Sequence, residues 1–184
     1  MSEPNLPEKV VAIHSRLEQA KVDHAFGGAL ALAYYAEPRS TIDIDVNLFV
    51  SPSSYPDVAR ELAQIGVGDT ADLAAVERDG QCKLIWGETP IDLFFAYDDL
   101  HESMRTAARR ERFGQTTISV LSPEHLIVCK TIFNRPKDWL DIEQMLICVD
   151  ELDATEVREW LTRILGPDDP RSERVERMLT SSLG

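Results

Sequence analysis

Two aspartates stand one residue apart in the segment TIDIDVNLFV, which begins at Thr41. Asp43 and Asp45 interrupt a run where a strand would favour β-branched apolar residues. On a strand, residues two apart project from the same face, about 6.5–7 Å apart. Two carboxylates at that spacing repel each other and lose hydration if they are enclosed. This face must therefore be open to solvent, paired with basic groups or built around a cation.

A third carboxylate and a double glycine strengthen the cation hypothesis. Asp92 stands at the start of another apolar run, TPIDLFFAY, and Gly27-Gly28 precedes the short helix former ALALAYYA. Backbone N–H groups at the start of a helix bind phosphate oxygens, and hard carboxylate ligands suit Mg²⁺. Three carboxylates from two neighbouring strands, facing a glycine turn, would hold one or two Mg²⁺ ions. A solvated polar strand face is the alternative.

Two stretches then carry a resemblance to a known family. Gly-Gly followed by RSTIDIDV, that is Arg-x-Thr-x-Asp-x-Asp, resembles the signature of the nucleotidyltransferase superfamily, with its polymerase-beta-like fold. The later segment SPEHLIVCKTIFNRPKDWLDIEQM is similar to the Pro-Glu-x-Leu…Lys…Arg-x-Lys-Asp-x-x-Asp-Ile run of AbiEii- and MenT-type nucleotidyltransferase toxins. The similarity covers residues 22–50, 88–97 and 120–147.

The resemblance implies a metal and base set and a nucleotide-binding set. The metal ligands would be Asp43, Asp45 and Asp92, holding Mg²⁺ with Mn²⁺ as a substitute. Asp92 would also act as general base on the acceptor hydroxyl, and Lys130 would complete the catalytic set by pairing with triphosphate oxygens. The nucleotide-binding set would be Gly27, Gly28, Arg39, Thr41, Lys130, Lys137 and Asp138.

Two qualifications come from the residues themselves. Ala29 follows Gly28 where many relatives carry a serine, so one hydroxyl ligand for phosphate is missing. Lys137, Asp138 and Asp141 could equally form the capped, charged first turn of a helix, because Pro136 stands where a helix would begin.

The function implied by the resemblance is transfer of a nucleoside monophosphate from an NTP to a hydroxyl. The acceptor that it favours is RNA, in particular a tRNA 3′ end, for a toxin whose partner is an antitoxin protein. The segment MRTAARRERF, within a helix predicted over residues 98–113, would place Arg105, Arg109 and Arg112 on one face toward RNA. A solvated helix face is the alternative.

Three other functions remain open. They are a small-molecule nucleotidyltransferase of the antibiotic-modifying type, a protein AMPylase, and a partner protein that binds nucleotide without catalysis. The low positive charge favours the small-molecule acceptor, because RNA requires cations. The intact aspartates argue against loss of catalysis.

The elements that must position these residues follow from hydrophobic periodicity. The chain predicts a helix, strand, helix, strand, helix, hairpin, helix and strand, and then helices only. In the hairpin, GETP joins the strands QCKLIW and IDLFFAY. The fold class is α+β, of the α/β type: a nucleotidyltransferase-fold mixed sheet flanked by helices in residues 1–121. A C-terminal helical segment, 122–184, would complete the active site.

Composition limits the remaining possibilities. The 184 residues include 19 Lys and Arg against 32 Asp and Glu, a net charge of −13, which argues against a nucleic-acid-coating or membrane-surface role. The apolar runs are too short to span a bilayer, and cytoplasmic localisation is expected. Three widely spaced cysteines predict reduced, buried or half-buried thiols. His24, His101 and His125 are isolated in sequence and predict no zinc site.

Overall fold

The structure is a computed structural model and describes residues 3–182. Its strands are β1 (His24–Phe26), β2 (Ile44–Leu48), β3 (Gln81–Trp86), β4 (Thr89–Phe95), β5 (Arg109–Phe113) and β6 (Thr116–Val120). Its first helices are α1 (Leu6–Gln19), α2 (Gly28–Leu32), α3 (Tyr55–Ala63), α4 (Leu73–Asp79) and α5 (Asp99–Ala107). The later helices are α6 (Pro123–Phe133), α7 (Pro136–Cys148), α8 (Ala154–Leu165) and α9 (Pro170–Ser182).

The described chain divides into two compact units. The first comprises the residues up to Leu30 together with Ser40–Leu121, and it holds the whole sheet. The second comprises Ala31–Arg39 together with the residues from Ser122 onward, and it is helical. The predicted division into residues 1–121 and 122–184 stays a prediction.

The first unit is built on a six-stranded mixed sheet with the order β3-β4-β2-β1-β6-β5. Strands β2 and β4 run parallel, as do β1 and β6, and the other neighbouring pairs are antiparallel. The alternating apolar residues of β2 and β4 are buried, including Ile44, Val46, Ile91 and Leu93. The predicted α+β class, with a mixed sheet, flanking helices and a C-terminal helical segment, is confirmed.

Local sequence signals account for most helix starts. Asn5 caps α1 by accepting from the Glu8 N–H, and the Glu8 side chain accepts from the Asn5 N–H. This reciprocal capping box satisfies two backbone donors that the first helical turn leaves unpaired. In the second unit, the Ser122 side chain caps α6 by accepting from the His125 N–H, and Pro123 occupies the first helical position.

The predicted helix over residues 98–113 is wrong in its second half. Helix α5 ends at Ala107, and residues Arg109–Phe113 form β5, which pairs antiparallel with β6. A two-residue connection with Gly114 in the left-handed region (φ 61°) joins the two strands. The ladder hydrogen bonds to β6 override the helix propensity of the alanines and arginines, because propensity is a weak prior against tertiary pairing.

This correction removes the predicted arginine face. Arg105 lies in the last turn of α5, whereas Arg109 and Arg112 lie on β5, three residues apart. Residues three apart on a strand point to opposite faces. The three side chains therefore do not share a helical face, and strand alternation instead puts Arg110 and Arg112 on the same side.

Smaller differences concern lengths and exposure. Helix α2 covers five residues, fewer than ALALAYYA, and α4 forms in a segment with no clear periodicity. Cys148 is exposed and the other two cysteines are half-buried, so the prediction of buried or half-buried thiols holds for two of the three. Within residues 3–182, no helix combines the length and the apolar character that crossing a membrane requires.

Candidate active site

Two of the predicted metal ligands stand side by side in the sheet of the first unit. In the parallel pair formed by β2 and β4, Asp45 is the Cα partner of Asp92. Neighbouring strands lie about 4.8 Å apart, and paired residues project from the same face. Both aspartate side chains are half-buried. The residues before and after each of them along the strand are apolar, buried and on the other face of the sheet. The sequence periodicity predicted the shared face, and the strand register brings the two carboxylates together.

Asp43 lies just before β2, so it precedes the residues that pair with the neighbouring strands. Its N–H donates to the Thr41 hydroxyl at 3.2 Å, so Thr41 supports the approach to the strand through the backbone. Ile42, which strand alternation would place on the same face as Ile44, is 69% exposed because pairing begins only at Ile44. The carboxylate of Asp43 is half-buried.

The double glycine lies directly against Asp45. The Gly27 N–H donates to the Asp45 carbonyl at 2.9 Å, and Gly28 adopts a φ of 54°. A Cβ on Gly28 would overlap the Asp45 carboxylate, and one on Gly27 would come within 2.8 Å of the Asn47 amide. Only glycine leaves room for this approach, which explains why the sequence places two glycines here.

Lys83 contributes a charge that the sequence patterns did not reveal. Its Nζ lies 3.2 Å from Asp92 Oδ1, and the two residues are cross-strand partners in the β3–β4 hairpin. The hairpin was correctly predicted, but its turn is two residues, Gly87 and Glu88, where four were expected. Counting outward from a turn of two would have placed Lys83 opposite Asp92.

Burial is the main cause of raised pKa values at Cys82 on β3 and at Tyr55 on α3. Burial, together with the charges of Asp69 and Asp92, raises the pKa of the Cys82 thiol to about 12. Burial and a hydrogen bond to Asp69 raise the pKa of Tyr55. Both groups remain neutral at physiological pH, so neither supplies a nucleophile at this part of the sheet.

The second unit contains a buried cluster of ionised side chains. Lys130, 3% exposed, donates to Asp141 Oδ2 at 2.6 Å, and Arg39 donates to the same carboxylate at 3.1 Å. Burial alone would raise the pKa of Asp141, but the hydrogen bonds from Arg39 and Lys130 lower it below its usual value. Asp141 therefore stays ionised and fixes the position of the Lys130 ammonium on α6.

Asp138 and Lys137 behave differently from each other. Asp138 is fully buried and accepts from the Arg135 backbone N–H at 3.0 Å and from the Arg135 guanidinium at 2.7 Å. Its carboxylate also lies 4.0 Å from Lys130 Nζ. Lys137 is exposed. The capped first turn, which was the alternative interpretation of this segment, is therefore present in the structure, and a nucleotide-binding role for these residues stays a prediction.

The sequence model of the family described as "Nucleotidyl transferase AbiEii toxin, Type IV TA system" matches residues 15–176. The chain belongs to the AbiEii nucleotidyltransferase family. The match spans both the aspartate strands and the Lys130–Asp141 segment, so it covers the two stretches that carried the resemblance. The protein is a nucleotidyltransferase. No curated protein sequence matches the chain.

Solved structures of nucleotidyltransferases share the fold. The antibiotic-resistance factor ANT(2'')-Ia is 16% identical, with a TM-score of 0.56 over 95% of this chain and 89% of that one. The lincosamide antibiotic adenylyltransferase LnuA, bound to lincomycin, is 12% identical, with a TM-score of 0.55 over 78% and 98%. An antigenic nucleotidyltransferase-like protein from Paracoccidioides brasiliensis is 15% identical, with a TM-score of 0.53 over 94% and 91%.

The donor set of this AbiEii-family enzyme fits a hard divalent cation. Asp45 and Asp92 are paired across two strands, Asp43 is two residues from Asp45, and all three are half-buried. In residues 3–182 the three carboxylates do not form a group whose oxygens all lie within 4.8 Å of one another. Mg²⁺ needs only one or two protein carboxylates besides substrate phosphates, so the set is sufficient.

The histidines that looked isolated in sequence have defined partners. His101 hydrogen-bonds with Asp98 at 2.6 Å at the start of α5, and His125 hydrogen-bonds with Ser122 at 2.8 Å at the start of α6. His24 lies against His14, with 3.0 Å between His24 Nε2 and His14 Nδ1. This last contact joins α1 to β1, so the spacing of the two histidines along the chain carries no signal for it.

Proposed function

We propose that the protein transfers a nucleoside monophosphate from an NTP to a hydroxyl of RNA, in particular a tRNA 3′ end, and acts as the toxin of a toxin–antitoxin pair. The observation that carries the catalytic part is the pairing of Asp45 with Asp92 across β2 and β4, with Gly28 directly beneath the Asp45 carboxylate. Family membership supports the toxin part.

The aspartates have distinct roles in this proposal. Asp43, Asp45 and Asp92 would hold Mg²⁺, or Mn²⁺ in its place, which supplies charge stabilisation to the attacking and leaving oxygens of an in-line displacement when bound. Asp92 accepts the proton of the acceptor hydroxyl. The acceptor oxygen then bonds to the α-phosphorus as the bond to pyrophosphate breaks, and pyrophosphate leaves.

Other residues bind and orient the nucleotide. Gly27 and Gly28 allow the phosphates to approach the backbone, because no Cβ obstructs them. Thr41 holds the backbone of Asp43. Lys130 provides a positive charge for the triphosphate, while Asp141 and Arg39 keep its ammonium in place. Lys137 and Asp138 belong to the same proposed nucleotide-binding set.

The proposals of an RNA acceptor and of an antitoxin partner are based on family membership. The family is described as a toxin of a type IV toxin–antitoxin system, and such a toxin requires a cellular target and an antagonist. Exposed arginines on β5 offer cations for an RNA backbone, although the predicted helical face is absent. The net charge of −13 confines any RNA contact to such a local patch.

A small-molecule acceptor is the second candidate. Two of the structures with this fold are antibiotic-modifying or antibiotic-resistance proteins, and the fold matches cover most of both chains. The acidic surface and the loss of the arginine face also favour an acceptor that needs few cations. The same aspartates would serve either acceptor, so this candidate differs only in what binds beside them.

The test is transfer of label from each NTP in turn, with Mg²⁺ and total cellular RNA, by the wild-type protein and by Asp45→Asn. A matched control is Asp57→Asn, which changes an exposed aspartate of α3 in the same unit. We expect label in tRNA-sized RNA with the wild type and with Asp57→Asn, and a loss of at least about 100-fold with Asp45→Asn.

Each other outcome has a definite meaning. Label on the protein itself indicates AMPylation, and transfer only to an added aminoglycoside or lincosamide indicates the small-molecule acceptor. Undiminished transfer by a folded Asp45→Asn variant contradicts the proposed metal set. Toxicity on expression, relieved by an adjacent gene product, supports the toxin role independently of the acceptor.

A further inference from the structure

We propose that His14, His24 and Glu18 form a second metal site, separate from the aspartates and suited to Zn²⁺. Within residues 3–182, these three side chains each offer a ligand atom, and the atoms all lie within 4.8 Å of one another. All three belong to the first unit, where the site would join α1 to β1. The proposal does not depend on the proposed function.

The spacing of the nitrogens fits tetrahedral coordination. Two nitrogens bound to one Zn²⁺ at 2.0–2.1 Å with a tetrahedral angle are about 3.3 Å apart. His14 Nδ1 and His24 Nε2 are 3.0 Å apart, so a shift of a few tenths of an ångström would admit the ion. Both rings are nearly buried, at 6% and 5% exposure, which limits competition from water for the same position.

The ring of His24 is already oriented as a metal ligand. Its Nδ1 lies 2.8 Å from the Val22 carbonyl oxygen, which can only accept a hydrogen bond. Nδ1 therefore carries the proton of the neutral ring, and Nε2 presents a lone pair toward His14. A ligating histidine almost always donates its other N–H to a carbonyl or carboxylate in this way.

The His14 ring can offer Nδ1 as a metal ligand while the ring stays neutral. His14 Nδ1 faces His24 Nε2 at 3.0 Å. The His14 ring also has a backbone hydrogen bond with Thr117. Coordination requires the neutral His14 imidazole with its proton on Nε2, so that the lone pair of Nδ1 faces the ion. Burial lowers the pKa of both histidines, which favours this neutral form.

Glu18 supplies the third ligand and the compensating charge. It lies four residues after His14 on α1, and residues at that spacing share one helix face. Its side chain is exposed and can rotate toward the rings at little cost. The negative charge of Glu18 also offsets the positive charge of Arg110, which disfavours a further positive charge at His14. Two imidazoles and one carboxylate are donors that Zn²⁺ accepts, whereas Mg²⁺ prefers oxygen ligands.

Such an ion would have a structural consequence. Helix α1 already contacts the sheet through Lys9, whose Nζ donates to the Trp86 carbonyl on β3 and to the Thr89 hydroxyl on β4. A coordinated ion adds a direct link from α1 to the strand that leads into Gly27-Gly28. We therefore expect Zn²⁺ to stabilise the first unit, whether or not nucleotide is bound.

The experiment uses the full chain, freed of metal by a chelator, in an Asp45→Asn background so that the aspartate set competes less. Zn²⁺ and Co²⁺ are titrated while calorimetry, Co²⁺ absorption and thermal unfolding are recorded. We expect one ion per chain, the absorption of tetrahedral Co²⁺ and a higher Tm. Addition of Zn²⁺ should shift the NMR signals of the His14 and His24 rings and leave those of His125 unchanged.

Two site variants and a control make the result decisive. His14→Gln should abolish binding, and Glu18→Gln, an exposed change that leaves folding intact, should weaken it by more than about tenfold, since loss of even an outer-shell partner costs that much. The control Glu77→Gln, an exposed glutamate on α4, should bind like the parent. Equal Zn²⁺ affinity in all variants, or no binding at micromolar Zn²⁺, would overturn the proposal.

Discussion

At the scale of single residues, the contact between Gly28 and Asp45 decides whether the aspartate face can work. Asp45 is placed by strand pairing, but its carboxylate occupies the space where any other residue at position 28 would carry a Cβ. The positive φ of Gly28 adds a second reason for glycine, since L-residues pay for that conformation. Steric exclusion and backbone conformation thus select the same residue.

Gly28→Ala should therefore abolish transfer while leaving most of the fold intact. The added methyl group must displace the Asp45 carboxylate, and a displacement of about 1 Å in a catalytic group costs about 100-fold in rate. The measurement is the rate of nucleotidyl transfer, with circular dichroism and Tm recorded on the same preparation.

Gly114→Ala is the matched control for this prediction. Gly114 has a similar φ of 61°, but a Cβ there meets no atom within 4 Å. The control should lose about 1 kcal/mol of stability from backbone strain and keep full activity. Equal activity of the two variants would show that the closeness of Gly28 to Asp45 has no functional role.

At the scale of elements, register matters as much as element type. Periodicity predicted β2, the β3–β4 hairpin, α6 and α7, because each has a strong pattern or a clear cap. The contact between Lys83 and Asp92 could not be predicted, because it depends on a hairpin turn that is two residues shorter than expected. Strand β5 was mistaken for helix, since Arg109–Phe113 has no apolar alternation and forms a strand only through pairing with β6.

The buried ion pairs that join α6 to α7 offer a prediction at this scale. Asp141→Asn would leave the buried Lys130 ammonium without its 2.6 Å partner, and breaking a buried pair costs about 3 kcal/mol or more. The exposed pair of Arg60 and Asp57 is the control, and Arg60→Ala should cost less than about 1 kcal/mol. Chemical denaturation at pH 7 measures both.

The pH dependence gives an independent check of the same pairs. Because the pKa of Asp141 is lowered in the folded protein, its contribution is fully present above the ordinary aspartate pKa of about 3.9 and is lost as pH falls through the folded value. The difference in unfolding free energy between wild type and Asp141→Asn should shrink as pH falls below about 4. A difference that is constant from pH 7 to pH 3 would contradict an ionised, paired Asp141.

At the scale of the whole molecule, the charge of −13 opposes the approach of RNA. An enzyme with this charge can use an RNA acceptor only through a local cationic patch, and β5 provides one candidate: Arg110 and Arg112 are both exposed and lie two residues apart on the strand. A neutral or cationic small acceptor would need no such patch. The dependence of kcat/KM on salt concentration therefore distinguishes the two acceptors better than the fold does.

For an RNA acceptor, kcat/KM for tRNA should fall steeply with salt, because each phosphate contact contributes a slope of roughly −0.7 to −0.9 in a logarithmic plot. Changing Arg110 and Arg112 together to glutamine should reduce the magnitude of that slope by about 1.4–1.8 if both contact phosphates. The assay is run with saturating NTP, and Arg60→Gln on α3, an exposed arginine in the same unit, is the control for lost charge. A flat salt response for tRNA, alongside efficient transfer to an antibiotic-like hydroxyl, would establish the small-molecule acceptor, because cationic side chains that bind RNA phosphates release counterions and so make binding weaken as salt rises.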